Sequence, residues 1–360
     1  MTVPTGSPAS KRLQGVDVAR ALAIFAMFAA HIGPTDRYGA LGRTFHFLDG
    51  LAPVLFVVVA GMGTSMLTLA RNDSVAVRIR LLWTAALLAV LGFSTQALDH
   101  HVFVILQHFS VLFLVAALVI GIDSRRLAAA GFALAVLGPL IYLAGLLRYP
   151  ELFARSVVRV SDSLGEITVG LLINGIYPAL TYIGIFLVGM WLGRLPLGDR
   201  AVTVSMIRLG ALVAAGSWVL VVAVETLWFL PQGHPDWRWI VVMRPHSQMP
   251  MWFIATGGFA VALIGICLAL FRSRSWWSLP LVAVGQMSLT LYVLHLLAFT
   301  WFPGRLVSFY LHEAAVITLL FCLVATGLAM LWVHLFKIGP LEYLVRLPWS
   351  GIRFRSSSES

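Results

Sequence analysis

Long apolar runs separated by short basic or polar connections set the pattern of this chain. A helix needs about 20 apolar residues to cross the ~30 Å hydrocarbon layer of a bilayer. On that basis ten spans are predicted, over residues 15–33, 47–70, 80–98, 102–122, 126–147, 177–195, 204–230, 250–271, 279–302 and 313–336. The second, sixth and eighth contain Gly or Pro, which membrane helices tolerate because neighbouring groups re-satisfy the freed backbone. The predicted fold class is all-α, a polytopic membrane bundle of about ten helices. Residues 1–14 form an N-terminal segment, 15–336 the membrane domain and 337–360 a tail. The 148–176 connection is too long to be bare, and "LGEITVGLLINGIYP" within it is apolar enough to dip into the outer leaflet. The tail end "FRSSSES" reads as disordered.

The connections give an orientation. Cytoplasmic loops carry an excess of Lys and Arg. With the N-terminus inside, the cytoplasmic segments are "SKRLQG", "RNDSVAVRIR", "DSRR", "RLPLGDR", "RSRSWW" and the tail from Lys337, each with net positive charge. The opposite side holds "DHHV", the 148–176 connection, "PQGHPDWRWIVVMRPHSQMP" and "PGRLVSFYLHE", which mix acids with arginines and carry most of the loop histidines. Both termini are therefore expected in the cytoplasm, and the protein in the inner (plasma) membrane. The first thirty residues imitate a signal peptide, with a basic "KR", an apolar run and "FAAH". Asp17 and Arg20 interrupt that run, so it is read as a retained span.

Composition agrees with this picture and removes alternatives. Of 360 residues, 60% are hydrophobic and 11% charged, against about 25% charged in a soluble domain. The formal charge is +10 with only two lysines, Lys11 and Lys337. The arginines sit singly between apolar runs rather than on one face, which argues against nucleic acid. Cys267 and Cys322 lie inside apolar runs with no CxxC spacing, so no disulfide framework or metal is expected. There is no P-loop, Rossmann fingerprint or GxSxG elbow.

The first span contains "RALAIFAMFAAH", with an arginine at one end and a histidine at the other. Each helical residue advances 100° and ~1.5 Å. Eleven steps from Arg20 to His31 therefore amount to about three turns plus 20°, and place the two side chains on one face about 16 Å apart. Asp17 lies one turn before Arg20 and can pair with it. Charges within membranes are costly and mark function by default. A plain reading competes: Arg20 snorkels, Asp17 answers the helix dipole, and His31 is interfacial.

Arg-x10-His at the end of a first membrane helix resembles the signature of bacterial membrane acyltransferases. "RLQGVDVARALAIFAMFAAH" is also similar to the opening of the heparan-alpha-glucosaminide N-acetyltransferase catalytic-domain family and its bacterial relatives. Arg12, Asp17, Arg20 and Ala23 match that pattern, and Ala21 stands where Gly is usual. "FLDGLAPVLFVVVAGMGTSM", "YPALTYIGIFLVGMWLGRL", "RPHSQMPMWFIATGG" and "GQMSLTLYVLHLL" resemble later segments, and "KIGPLEYLVR" resembles the end of YeiB-like membrane proteins. The resemblance runs from about Arg12 to Arg346. It implies transfer of an acyl group, acetyl most simply, from cytoplasmic acyl-CoA to a hydroxyl or amine of a cell-envelope glycan on the far side. A histidine near the outer side would serve as base or transient acyl carrier.

His31 is the first candidate base, because imidazole can take a hydroxyl proton at neutral pH. An acyl-imidazole intermediate is the alternative. His46 and Asp49 open the second span one turn apart, so His46 as base with His31 as partner stays open. Asp49 could orient either ring. Asp17 and Arg20 are assigned to the donor, since Arg presents a rigid fork of donors to phosphates. Arg71, Arg78, Arg80, Arg125 and Arg126 could add to a basic mouth or simply set topology. For the acceptor, His295 and Tyr292 lie inside the ninth span, made unusually polar by Gln286, Ser288 and Thr290. His101 and His108, seven apart, are placed on one face of the fourth helix near Asp99 and His100. His234, Asp236, Arg238, Arg244 and His246 share an outer loop with Trp237 and Trp239, suited to sugar binding or to the interface. Glu225 is a weaker candidate for the same cavity. The partners read from this are acyl-CoA, an envelope acceptor and the bilayer, with a homodimer left open. The rival function is export of a small anionic or sugar-linked solute, because polar residues inside spans serve transport equally well.

Overall fold

The computed structural model describes residues 12–33, 39–69, 74–227, 234–273 and 275–350, with side chains from residue 45 in the second stretch and up to 347 in the last. Arg71, the start of the N-terminal segment and the tail after 350 lie outside the described residues. The helices are α1 (Gln14–Ile32), α2 (Gly39–Leu69), α3 (Ser74–Gln96), α4 (Leu106–Val119), α5 (Ser124–Arg148), α6 (Pro150–Phe153), α7 (Leu164–Val169), α8 (Ala179–Leu192), α9 (Arg200–Leu227), α10 (Pro250–Leu270), α11 (Leu279–Gln286), α12 (Ser288–Trp301), α13 (Leu311–Phe336) and α14 (Pro340–Ser350). The fold is all-helical, and no strand occurs among the described residues.

Every predicted run coincides with a helix, but not every helix is a full crossing. Seven are long and apolar enough to span: α1, α2, α3, α5, α9, α10 and α13. The ninth run is two helices, with the segment through α11 and α12 bent by 68° at the break. α4 and α8 have only 14 residues each, about 21 Å of rise, so they reach across the bundle without crossing the layer alone. The 148–176 connection folds as α6, α7 and a π-turn over Gly170–Asn174. The segment expected as a tail from Lys337 begins with α14, an amphipathic helix with Pro340 in its first turn.

α1 is the axis of the bundle. It packs against α2, α10, α11 and α13, and Ala19, Ala21, Ala23, Ile24 and Ile32 are fully buried. α9 and α13 are peripheral, with 17% of their apolar windows buried, which leaves most of their apolar surface on the outside of the bundle. Lipid is as apolar as leucine, so these contacts depend on close approach rather than on the hydrophobic effect. Gly15 lies against the backbone of Cys267 and Leu268 on α10, and Gly193 against that of Met62 on α2. Gly193→Val should therefore force α8 and α2 apart. A loss of about 1–3 kcal/mol is expected, read as a lower unfolding midpoint in detergent.

Candidate functional site

One cavity lies at the C-terminal end of α1. Counting its open mouth it encloses ≈ 340 Å³, lined by Met27, Ala30, His31, Asp49, Ala52, Pro53, Phe56, Phe103, Ile105, Tyr177 and Tyr292. Its walls are apolar and aromatic, with one imidazole, one carboxylate and two phenol rings.

The partners of His31 fix its chemistry. His31 Nδ1 lies 3.2 Å from Nε2 of His295 on α12, and the rings are parallel within 7°. The other nitrogen of His295, Nδ1, bonds the carbonyl of Tyr292 one turn back. A carbonyl only accepts, so His295 Nδ1 carries a hydrogen, and in the neutral ring its Nε2 then carries the lone pair. His31 Nδ1 must then be the donor, which leaves Nε2 of His31 as the basic nitrogen. Each tautomer is thus set by the next partner in a chain ending at a backbone carbonyl. His295 is 1% exposed, with Phe28 and Phe299 against its ring.

The end of α1 is held by unusual caps. The His31 carbonyl accepts from His101 Nε2 at 3.2 Å, and the Ile32 carbonyl accepts from the Ser308 amide at 3.3 Å. His101 belongs to the non-helical segment that precedes α4. It therefore shares no helix face with His108, contrary to the expectation from their spacing. Irregular backbone among packed helices must find internal partners. Here Gln96 Oε1 accepts from the Val104 amide at 3.0 Å and the Tyr292 hydroxyl from the Ile105 amide at 3.1 Å. His100 bridges the Thr95 carbonyl and the Val102 amide, and burial holds its imidazole pKa below the usual value.

Asp49 lines the cavity, and its Oδ1 bonds His246 Nε2 at 3.2 Å across 197 residues of sequence. His246 lies against Tyr177 and Trp252 in a turn where His246 (φ 56°) and Gln248 (φ 65°) are both left-handed. Such non-glycine conformations cost about 1–3 kcal/mol each and persist only where surroundings over-determine them. Gln248, fully buried, supplies that determination. Its amide donates to the Ile176 carbonyl at 2.9 Å, and its oxygen accepts from Thr181 at 2.8 Å. Gly50 leaves room for Pro245 and the Trp252 indole.

The remaining expectations divide. His108 is buried against Tyr177 behind the cavity wall. His46 is in α2 but is not among the lining residues. Asp236 and Arg238 pair with each other at 2.6 Å, and His234, Arg244 and Glu225 are exposed away from the lining. Arg126 pairs with Asp123 at 3.2 Å. Sequence reasoning missed Tyr177, Phe103 and Ile105, which carry no charge and whose only signal was their nearness to flagged residues.

At the other end of α1, Asp17 accepts two hydrogen bonds from Arg12 (2.6 and 2.9 Å) and one from Arg20 (3.1 Å). The Arg20 guanidinium crosses over Gly63 of α2, and Gly285 of α11 packs on the Asp17 backbone. The cavity lining does not extend to Arg20. Ala23, Ile24 and Met27 are packed between the two ends.

Fold and site together define a multi-pass helical membrane protein with a histidine-centred cavity at one end of its axial helix and a buried ion pair at the other. Residues 202–350 match the sequence model of a family described as "Protein of unknown function (DUF418)", a family of membrane proteins. That stretch includes His246, Tyr292 and His295 and excludes His31 and Asp49. No curated protein matches the chain.

Proposed function

We propose that this chain is an acyl-CoA-dependent acyltransferase of the plasma membrane, moving an acyl group, acetyl most simply, to a glycan hydroxyl or amine on the extracytoplasmic side. The observation that carries the reading is the chain from the Tyr292 carbonyl through His295 to His31, which leaves a basic Nε2 on a residue lining the cavity. The acceptor O–H or N–H gives its proton to that nitrogen, and the freed lone pair attacks the thioester carbonyl. The C–S bond breaks, and coenzyme A leaves as a thiolate that takes up the proton. Attack by His31 itself, with an acyl-imidazole intermediate, is the second route. Asp17 orients Arg20 and Arg12 toward the donor's phosphates from the opposite end. Because the residues between the ends are packed, the thioester arm has to part them to reach His31, about 16 Å along the helix. The resemblance of the first helix to the heparan-alpha-glucosaminide N-acetyltransferase catalytic-domain family supports the same chemistry.

Purified protein in nanodiscs, given radiolabelled acetyl-CoA and a glycan acceptor, tests it. Wild type and His46→Ala should transfer label, and His31→Ala should not. Transfer surviving in His31→Ala would end the assignment. One observation favours the second reading, an exporter: the break between α11 and α12 resembles the discontinuous helices of transporters. Solute flux into vesicles without any acyl-CoA would select it.

A further inference from the structure

The break in the ninth span exposes the start of α12, and what satisfies it comes from the far end of the chain. Interrupting a helix leaves amide N–H groups without partners. At Leu289 and Thr290 those amides donate to one carboxylate oxygen, Glu342 Oε1, at 2.8 and 3.1 Å. The Thr290 hydroxyl donates to the other, Oε2, at 2.6 Å. Glu342 lies on α14. The exchange runs both ways, because the Leu341 amide in the first turn of α14 donates back to the Thr290 hydroxyl at 3.2 Å. In a capping box, a hydroxyl and a carboxylate three residues apart exchange bonds with each other's backbone. Here the same exchange joins two helices about 50 residues apart in sequence.

The backbone between α13 and α14 is built to deliver Glu342 there. α13 ends with Lys337 in the left-handed region (φ 62°), the usual stop for a helix. Gly339 follows, where a side chain would collide with the Glu342 carboxylate. Pro340 then starts α14 in the first-turn position that proline favours. α14 is fixed on its other side as well, where the Trp83 indole of α3 donates to the Leu344 carbonyl at 2.9 Å.

The clamped helix is the one that carries the partner of the candidate base. His295 is five residues beyond Thr290, about 7.5 Å along α12. Tyr292, between them, supplies the carbonyl that sets His295 and the hydroxyl that holds the cavity-lining segment at Ile105. We infer that Glu342 is a positioning residue for the His31–His295 pair: α14 clamps the start of α12, and the clamp sets where the His295 ring meets His31. The inference rests on the pair as a structural unit and stands apart from the acyl-transfer reading.

The test needs no substrate. In full-length protein labelled with ¹⁵N-histidine in nanodiscs, an N–H···N bond between His31 and His295 gives a nitrogen–nitrogen coupling across the hydrogen bond. Wild type should show it. Glu342→Ala should lose it while the signals of His234, His312 and His334 keep their positions. Glu342→Gln should retain it, because the amide oxygen can still accept from Leu289 and Thr290. Thr290→Val, which removes only the hydroxyl link, should weaken it, and this variant decides the matter if Glu342→Ala yields no folded protein. The inference is overturned if wild type lacks the coupling. It is equally overturned if Glu342→Ala keeps it, if Glu342→Gln loses it, if every histidine signal moves together, or if Thr290→Val leaves it unchanged.

Discussion

Replacing His295 by leucine should lower the rate of acyl transfer by about 10²-fold, with the KM for acetyl-CoA unchanged. The leucine removes the acceptor for the His31 Nδ1 hydrogen, so either His31 nitrogen can then carry it. It also removes the group that would steady His31 once protonated. Losing the orienting partner of a catalytic imidazole is costly because the ring then spends time in the wrong tautomer. The donor constant should hold, because the donor's phosphates are assigned to the Arg20 end and His295 is enclosed by aromatic rings. Steady-state kinetics in nanodiscs provide the check. A turnover rate within about threefold of wild type, far short of the usual general-base contribution, would remove His295 from the mechanism. A rise in KM alone would make it a binding residue.

The relation between chain and structure explains why some of this was readable and some was not. The Asp17, Arg20 and His31 stripe is local: a single helix and its 100° step place those groups without knowledge of anything else. The polarity of the ninth run was equally visible in Gln286, Ser288 and Thr290. Its meaning was not, because a break is tolerable only when something caps it, and the cap is Glu342, 52 residues from Thr290. The same holds for both histidine pairings. His31 meets His295 across 264 residues, and Asp49 meets His246 across 197. Sequence spacing relates Asp49 to the histidines nearest to it, His46 and His31, and gives no sign that packing also brings His246 to that carboxylate. The short α4 was misjudged because "HVFVI" is apolar enough to continue a helix. Its amides instead find Gln96 and Tyr292, and the segment becomes part of the cavity wall.

Asp17→Asn should be the most damaging single change to the stability of the bundle. The carboxylate is 3% exposed and pairs with two guanidinium groups, one 51% and the other 28% exposed. Removing one partner of a buried ion pair typically costs 3–5 kcal/mol, because the remaining charge is left without compensation. Water reaches both arginines in part, so a loss of about 3 kcal/mol is expected, at the low end of that range. Arg12→Gln should cost less, about 1 kcal/mol, because the half-exposed arginine it removes contributes as a surface pair does and Arg20 still answers Asp17. In the Asp17→Asn, Arg20→Gln double variant the loss should be smaller than the sum of the two single losses, because neither charge is then stranded. Chemical denaturation in detergent micelles measures wild type, the three single variants and the double variant. Additive losses would mean that Asp17 and Arg20 are energetically independent, and the ion pair would then no longer account for a charged residue at this depth in α1.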